Sequence, residues 1–269
     1  MYLIMAKNSV LDESYEQLQK DIQTLHTKWC EQVAEVKISG LGDIIEKNSP
    51  LIPQLNLFID LSQYRLFIEQ LLDLLGSDKE GIFAAAKRLK ELLTTEVLQK
   101  WFNETISVNQ FYFVKFAEDQ DLPEWLPFFT AEHAARPYLQ KAAVELAEQL
   151  KDRDDQHACP CCGEPPRFAL VGKQGGKVMN CPRCLHTWNV KKISCAHCGK
   201  EGDLVILKID GDEAAEIHAC NNCKGYTKVI DARKLLKQES PTLLDIKSIH
   251  LDYIAQEKGY GIPEESETH

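Results

Sequence analysis

The sequence predicts an α+β protein: a helical domain over residues 1–150, a double cysteine-pair metal-binding ribbon region over 151–232, and a closing helix and tail over 233–269. Three observations carry this expectation. Apolar residues in the first part recur every three or four positions, the period of one helix face. Nine of the ten cysteines fall between residues 159 and 223, eight of them in C-x-x-C pairs. Short runs rich in valine, isoleucine and aromatic residues separate those pairs, as β-strands would.

In "LDESYEQLQKDIQTLHTKWCEQVAEV", Leu11, Tyr15, Leu18, Ile22, Leu25, Trp29 and Val33 form one stripe and predict the first helix. Cys30 flanks that stripe and has no thiol nearby in the sequence, so it reads as a small buried hydrophobe. A loop around Ser49, Pro50 and Pro53 follows, then "YRLFIEQLLDLLG", a helix stopped by Gly76. "GIFAAAKRLKELLTTEVLQKWF" predicts a third helix and "FFTAEHAARPYLQKAAVELAEQL" a fourth. Pro137 inside the fourth removes a backbone donor and should kink it, or split it near Arg136. His133 and Arg136 read as solvated or capping groups.

"KDRDDQHA", residues 151 to 158, is charged and aperiodic, which places a domain boundary there. Beyond it "RFALV", "KVMN", "TWNVK", "LVILKI", "AEIHA" and "TKVID" read as strands, giving the order pair, hairpin, pair twice over. "SPTLLDIKSIHLDYIAQEKGYG" reads as a closing helix, with Pro241 near its start and Gly259 and Gly261 near its end.

A net charge of −10 argues against a nucleic-acid backbone as the main partner, since that binding depends on clustered lysine and arginine. No run approaches the roughly 20 apolar residues that cross a bilayer, and "MYLIMAKNSV" lacks the parts of an export signal. The expectation is a soluble cytoplasmic protein. In a reducing compartment, paired cysteines point to metal or redox chemistry, and disulfides are the weakest reading.

Two residues between cysteines let a tight turn aim both sulfurs at one point, the geometry of a zinc or rubredoxin knuckle. "CPCCG" and "CAHCG" carry a glycine just after the second cysteine, where the turn favours positive φ. Two knuckles make one tetrathiolate site. The expected ligands are Cys159, Cys162, Cys181 and Cys184, then Cys195, Cys198, Cys220 and Cys223, each set holding one iron or zinc ion. Cys161 has the wrong spacing for a knuckle, and His186, His197 and His218 are surplus to the ligand count; these read as neighbours of the sites. Four thiolates close the coordination shell, and the sequence contains no Ser/His/Asp arrangement, phosphate-cradling loop or HExxH motif. The chain does not read as an enzyme.

"CPCCGEPP", "CPRCLHTWNVKKISCAHCG", "CNNCKGYTKVID" and "PTLLDIKSIHLDYIAQEKGY", in that order, resemble the FdhE family of formate dehydrogenase maturation proteins. "FFTAEHAARPYLQ" resembles that family's helical segment ahead of the metal region, so the likeness runs over about residues 127 to 262. The resemblance implies an accessory factor that contacts the catalytic subunit of a formate dehydrogenase and carries a pair of rubredoxin-like modules, with iron the favoured metal. Two residues depart from the family pattern: Lys192 stands where an arginine is expected, and Cys161 adds a thiol. Trp188, Lys191, Lys192, Tyr226 and Lys228 cluster at knuckle exits, and aromatic and basic groups there are the expected partner contacts. Two competing readings are a rubredoxin-like electron carrier and a nucleic-acid-binding zinc ribbon. Against the latter, residues 159 to 231 hold ten lysines and arginines but also eight acids.

Overall fold

The computed structural model describes residues 2–5, 13–42, 46, 48–77, 80–151, 153, 157–172, 175–191, 193–237 and 239–261. In chain order the elements begin with β1 (Tyr2–Met5), α1 (Glu13–Gln32), β2 (Lys37–Ser39), β3 (Asn56–Phe58), α2 (Leu61–Gly76), α3 (Glu80–Leu92) and α4 (Thr95–Ile106). Then come α5 (Gln110–Asp119), α6 (Trp125–Glu145), α7 (Ala147–Leu150), β4 (Phe168–Val171), β5 (Lys177–Asn180) and β6 (Thr187–Asn189). The last are β7 (Leu204–Asp210), β8 (Asp212–Cys220), β9 (Tyr226–Asp231), α8 (Pro241–Lys247) and α9 (Ile249–Glu257). The chain divides into two compact units. One comprises Leu11–Ile45 and Ile52–Glu145; the other comprises Met1–Val10, Glu46–Leu51 and Leu146–His269.

The first unit is helical apart from the antiparallel pair β2 and β3, and is built around α6, against which α1, α2, α4 and α5 pack. Trp29 of α1 is fully buried and stacks on Phe67 of α2 with ring centroids 4.9 Å apart. The Tyr64 hydroxyl donates to the Ala131 carbonyl at 3.0 Å, tying α2 to the middle of α6. The third predicted helix is two helices, because Thr94 leaves the helical path and its hydroxyl caps α4 by accepting from Val97 N–H. A helix not anticipated from the sequence, α5, is capped in the same way by Asn109.

Three expectations are corrected here. Pro137 does not split its helix: α6 runs through it from Trp125 to Glu145. Helices pack around α6, burying residues on nearly every side, and this packing offsets the one missing backbone hydrogen bond. Cys30 is exposed, because a neighbour of Trp29 on a helix lies about 100° around the axis from it and leaves the buried stripe. His133 is buried, with its ring against Phe129 at 4.2 Å and its Nδ1 3.1 Å from His26 Nε2.

The second unit carries every cysteine except Cys30 and contains a seven-stranded sheet of order β1-β7-β8-β9-β4-β5-β6. All six predicted strands are present, but the two hairpin regions are joined edge to edge. β4 pairs in parallel with β9, Phe168 opposite Lys228 and Val171 opposite Asp231. The core on one face gathers Phe168, Ile217, Tyr226 and Ile230 under Leu244, Leu251 and Ala255 of the closing helices. The predicted closing helix is broken into α8 and α9 at Ser248. Ser240 caps α8 through Leu243 N–H, with Pro241 at its first position.

Two candidate metal centres

The four knuckles share one backbone pattern. In each, the N–H four residues after the first cysteine donates back to that cysteine's carbonyl: Gly163 to Cys159 at 2.9 Å, Leu185 to Cys181 at 3.1 Å, Gly199 to Cys195 at 2.9 Å and Lys224 to Cys220 at 3.0 Å. The first cysteine's own N–H then donates five residues onward, to Glu164, His186, Lys200 and Gly225 respectively, at 2.8 to 3.0 Å. The residue that closes the loop has positive φ every time: Gly163 at 83°, Leu185 at 60°, Gly199 at 70° and Lys224 at 63°. Glycine adopts this conformation freely, whereas leucine and lysine do so at a cost.

These turns bring the sulfurs together in two groups, Cys159, Cys162, Cys181 and Cys184, and Cys195, Cys198, Cys220 and Cys223. Within each group all four Sγ atoms lie within 4.8 Å of one another. The shortest approaches are 3.5 Å for Cys159 to Cys184 and for Cys162 to Cys181. In the second group they are 3.7 Å for Cys195 to Cys223 and 3.8 Å for Cys198 to Cys220. A regular tetrahedron of sulfurs about 2.3 Å from a central ion has edges of about 3.8 Å. Both donor sets therefore fit a tetrahedral ion, and either could hold one.

Burial alone raises a thiol's pKa, and it does so for Cys159 and Cys181. Burial also opposes ionisation of Cys162, but hydrogen bonds from Cys159, Cys181 and Cys184, with the charge of Arg183, hold its thiol well below the usual range. In the second group Cys198 is held low against burial by the Lys200 backbone N–H and the three other thiols. Backbone amides add to the field at the sulfurs: His197 N–H points at Cys195 Sγ at 3.3 Å and Gly225 N–H at Cys223 Sγ at 3.4 Å.

Cys161 is fully buried but stands outside the four-sulfur group. The three histidines near the knuckles also stay out of both groups. His186 lies parallel to Trp188, His197 Nε2 bonds the Tyr226 carbonyl at 2.8 Å, and His218 Nε2 bonds Glu216 at 2.7 Å.

The expected partner contacts separate sharply. Trp188 is 2% exposed, Tyr226 5% and Lys228 3%. The Tyr226 hydroxyl donates to Asp252 at 2.8 Å, while Lys228 Nζ lies 2.6 Å from Asp245 and 2.8 Å from Asp252. These three side chains face inward, which corrects the expectation that they project at the surface. β9 is covered on both faces, so alternate residues on it find no solvent. Lys191 is exposed, and Lys192 lies outside the described residues. Sequence reasoning passed over Arg183, 1% exposed inside a knuckle, and the carboxylates that hold Lys228. The spacing of Asp245 and Asp252, seven residues and about two helical turns, was a usable signal for the latter.

Residues 193–264 match the family model for the C-terminal domain of FdhE. The chain is 33% identical over 132 residues to an FdhE homolog of Aquifex aeolicus, a match covering 46% of each protein. It is 30% identical over 124 residues to FdhE of Escherichia coli, covering 45% of this chain and 38% of that one. Over these stretches the chain is similar to FdhE proteins. Its matches span less than half the length of these curated relatives. The fold extends further: the crystal structure of FdhE from Pseudomonas aeruginosa superposes with a TM-score of 0.65 over 92% of this chain and 85% of that one, at 18% identity. Among the described residues no helix is long and apolar enough to cross a membrane.

Proposed function

We propose that this chain is a cytoplasmic accessory protein for formate dehydrogenase maturation that binds the catalytic subunit of that enzyme. The observation that carries this reading is the FdhE C-terminal domain match over residues 193–264, which takes in the second four-sulfur group whole. The eight paired cysteines are metal ligands, and each group holds one iron or zinc ion. Four thiolates leave such an ion no open position for substrate, so the centres hold the sheet together or sense redox state, and the protein is not itself an enzyme. A net charge of −10 speaks for a protein client over a nucleic acid. The exposed Lys191 remains a candidate partner contact. Affinity purification of the full chain from a native lysate, followed by a search for a formate dehydrogenase catalytic subunit, tests the reading. Recovery of that subunit, together with lost formate dehydrogenase activity when the gene is deleted, is the expected result. Unchanged activity in the deletion overturns it.

The partial exposure of Cys198 and Cys223 favours one second reading, an electron carrier of the rubredoxin type. A red protein whose visible absorption bleaches and returns reversibly with reductant and oxidant supports the carrier. A colourless zinc protein removes it.

A further inference from the structure

The face of the sheet around β4, β5, β8 and β9 holds a cavity of about 260 Å³ that neither metal group uses. Register explains its lining. Lys177 stands opposite Val171, and Val171 stands opposite Asp231, so the three side chains share one face in a row across β5, β4 and β9. Val229 and Glu216 are likewise paired across β9 and β8, with His218 two residues further along. Arg233 and Lys234 line the rim.

Most of the charges there are already matched. Arg233 forms a fork on Asp231 at 2.7 and 2.8 Å, and Lys234 Nζ donates to the Glu213 carbonyl at 2.7 Å. Two polar atoms are left over. Lys177 is 4% exposed and His218 8%, and among the described residues neither Lys177 Nζ nor His218 Nδ1 has a hydrogen-bond partner. A buried ammonium without a partner is costly, and two orphaned atoms lining one cavity mark the place of a ligand. The Glu216 carboxylate can only accept, so His218 Nε2 is the donor in that pair and Nδ1 is the ring nitrogen left over at the cavity.

We propose that this cavity binds a phosphate group. One oxygen accepts from the Lys177 ammonium, and a second meets His218 Nδ1, accepting from a protonated ring or donating through its O–H to a neutral one. A phosphate group that keeps an O–H, as inorganic phosphate does at neutral pH and a monoester does at about pH 6, meets both orphans, whereas sulfate offers acceptors only. Burial pushes the Lys177 pKa down against the pull of negative charge at Cys195 and Glu216, and a bound anion would lift it.

The test uses metal-loaded full-length protein at about pH 6, where inorganic phosphate and about half of a monoester keep an O–H, and at constant ionic strength, with inorganic phosphate, O-phosphoserine, sulfate and chloride compared by thermal melting and by ³¹P NMR of the phosphorus ligands. Saturating inorganic phosphate or its monoester should raise the Tm by about 5 °C, with sulfate at least tenfold weaker and chloride without effect. The stronger of free phosphate and the monoester names the natural source. Lys177→Met should abolish the shift while the unliganded protein keeps its metal content and melts no lower than wild type, since an unpaired buried amine has gone. The proposal is overturned if phosphate does no more than chloride and leaves the ³¹P line unmoved, if sulfate binds equally well, or if Lys177→Met still responds.

Discussion

The two four-sulfur groups use the same backbone knuckle, yet the first is buried at all four cysteines and the second at only two, Cys198 and Cys223 being partly exposed. The difference lies in what covers them. Over the first group a segment from earlier in the chain is tied down: Leu51 N–H donates to the Pro160 carbonyl at 2.9 Å, and Arg153 holds the Ser49 carbonyl at 2.8 Å. Arg183 adds a buried cation beside Cys162, its guanidinium 3.5 Å from the Cys162 carbonyl. The second group has cavity-lining residues such as Lys191 and Lys200 over Cys195 and Cys198, open to solvent. One ligand geometry thus serves two environments, the first suited to holding an ion permanently and the second to exchanging an ion or an electron.

The strongest way to break this contrast is to remove one ligand from each group. Cys181→Ser should cut metal content from two ions to one and unfold the sheet. The loss is several kcal/mol out of the roughly 10–16 kcal/mol that structural zinc typically supplies. Cys223→Ser should cost clearly less, because the replaced group already meets water. Metal analysis and strand-region circular dichroism read both, and an equal loss from the two variants would erase the distinction. Cys161→Ser is the companion control and should retain both ions.

Chelator kinetics sharpen the comparison further. One ion should leave at least about tenfold faster than the other, a barrier difference of about 1.4 kcal/mol. Among the eight grouped cysteines, mass mapping after alkylation should find Cys198 and Cys223 labelled first. Labelling that begins at Cys159 or Cys162 would reverse the assignment.

A smaller effect comes from the positive-φ positions. Gly163→Ala should cost about 1–2 kcal/mol, since a Cβ there also meets Pro50 Cγ at 3.2 Å. Gly199→Ala carries the same backbone cost, but the crowding comes from the ring of the exposed His157, which can swing away. Leu185→Gly should be neutral or stabilise by up to ~1 kcal/mol. Denaturant melts rank the three, and a destabilising Leu185→Gly would mean that the side chain contributes more than its backbone costs.

A separate expected effect is a pH dependence that leaves both cysteine groups out. In the helical unit, burial and the Arg136 charge lower the His26 pKa to about 3, and burial with the same charge holds His133 well below its usual value. The unfolded chain therefore binds protons that the folded unit refuses. Stability from this pair is complete above about pH 6.5 and falls as pH drops from there towards 3. Trp29, its ring 5.3 Å from that of His26, reports the transition by fluorescence. A flat stability profile between pH 6 and 4 in wild type, or an unchanged slope in His26→Asn, would refute it.

Much of the candidate site was legible because its signal is local. A C-x-x-C spacing fixes a turn irrespective of its surroundings, and so all eight sulfurs fall into the two groups expected. The helices announced themselves where one face is buried, as around Trp29, and misled where α6 is buried on nearly every side and tolerates Pro137. Leu185 and Lys224 escaped notice because no residue type advertises positive φ there except glycine. The inward turn of Tyr226 and Lys228 was hidden because it depends on two carboxylates that arrive from α8 and α9. The parallel pairing of β4 with β9 was the least readable feature, since nothing within either strand names a partner some sixty residues away.

That pairing also orders events during synthesis. The hairpin of β5 and β6 and all four sulfurs of the first group have been synthesised once residue 189 is made, so the first four-sulfur group can assemble before the second. The other edge of β4 then stays open until β9 follows, leaving the nascent chain with an unsatisfied strand edge beside a finished thiolate cage. Long-range closure of this kind is slow relative to local hairpins. A ribosome pause or a shortage of metal while the stretch from 190 to 231 is emerging would expose an adhesive edge, and it is over this interval that the half-made protein is most vulnerable to aggregation.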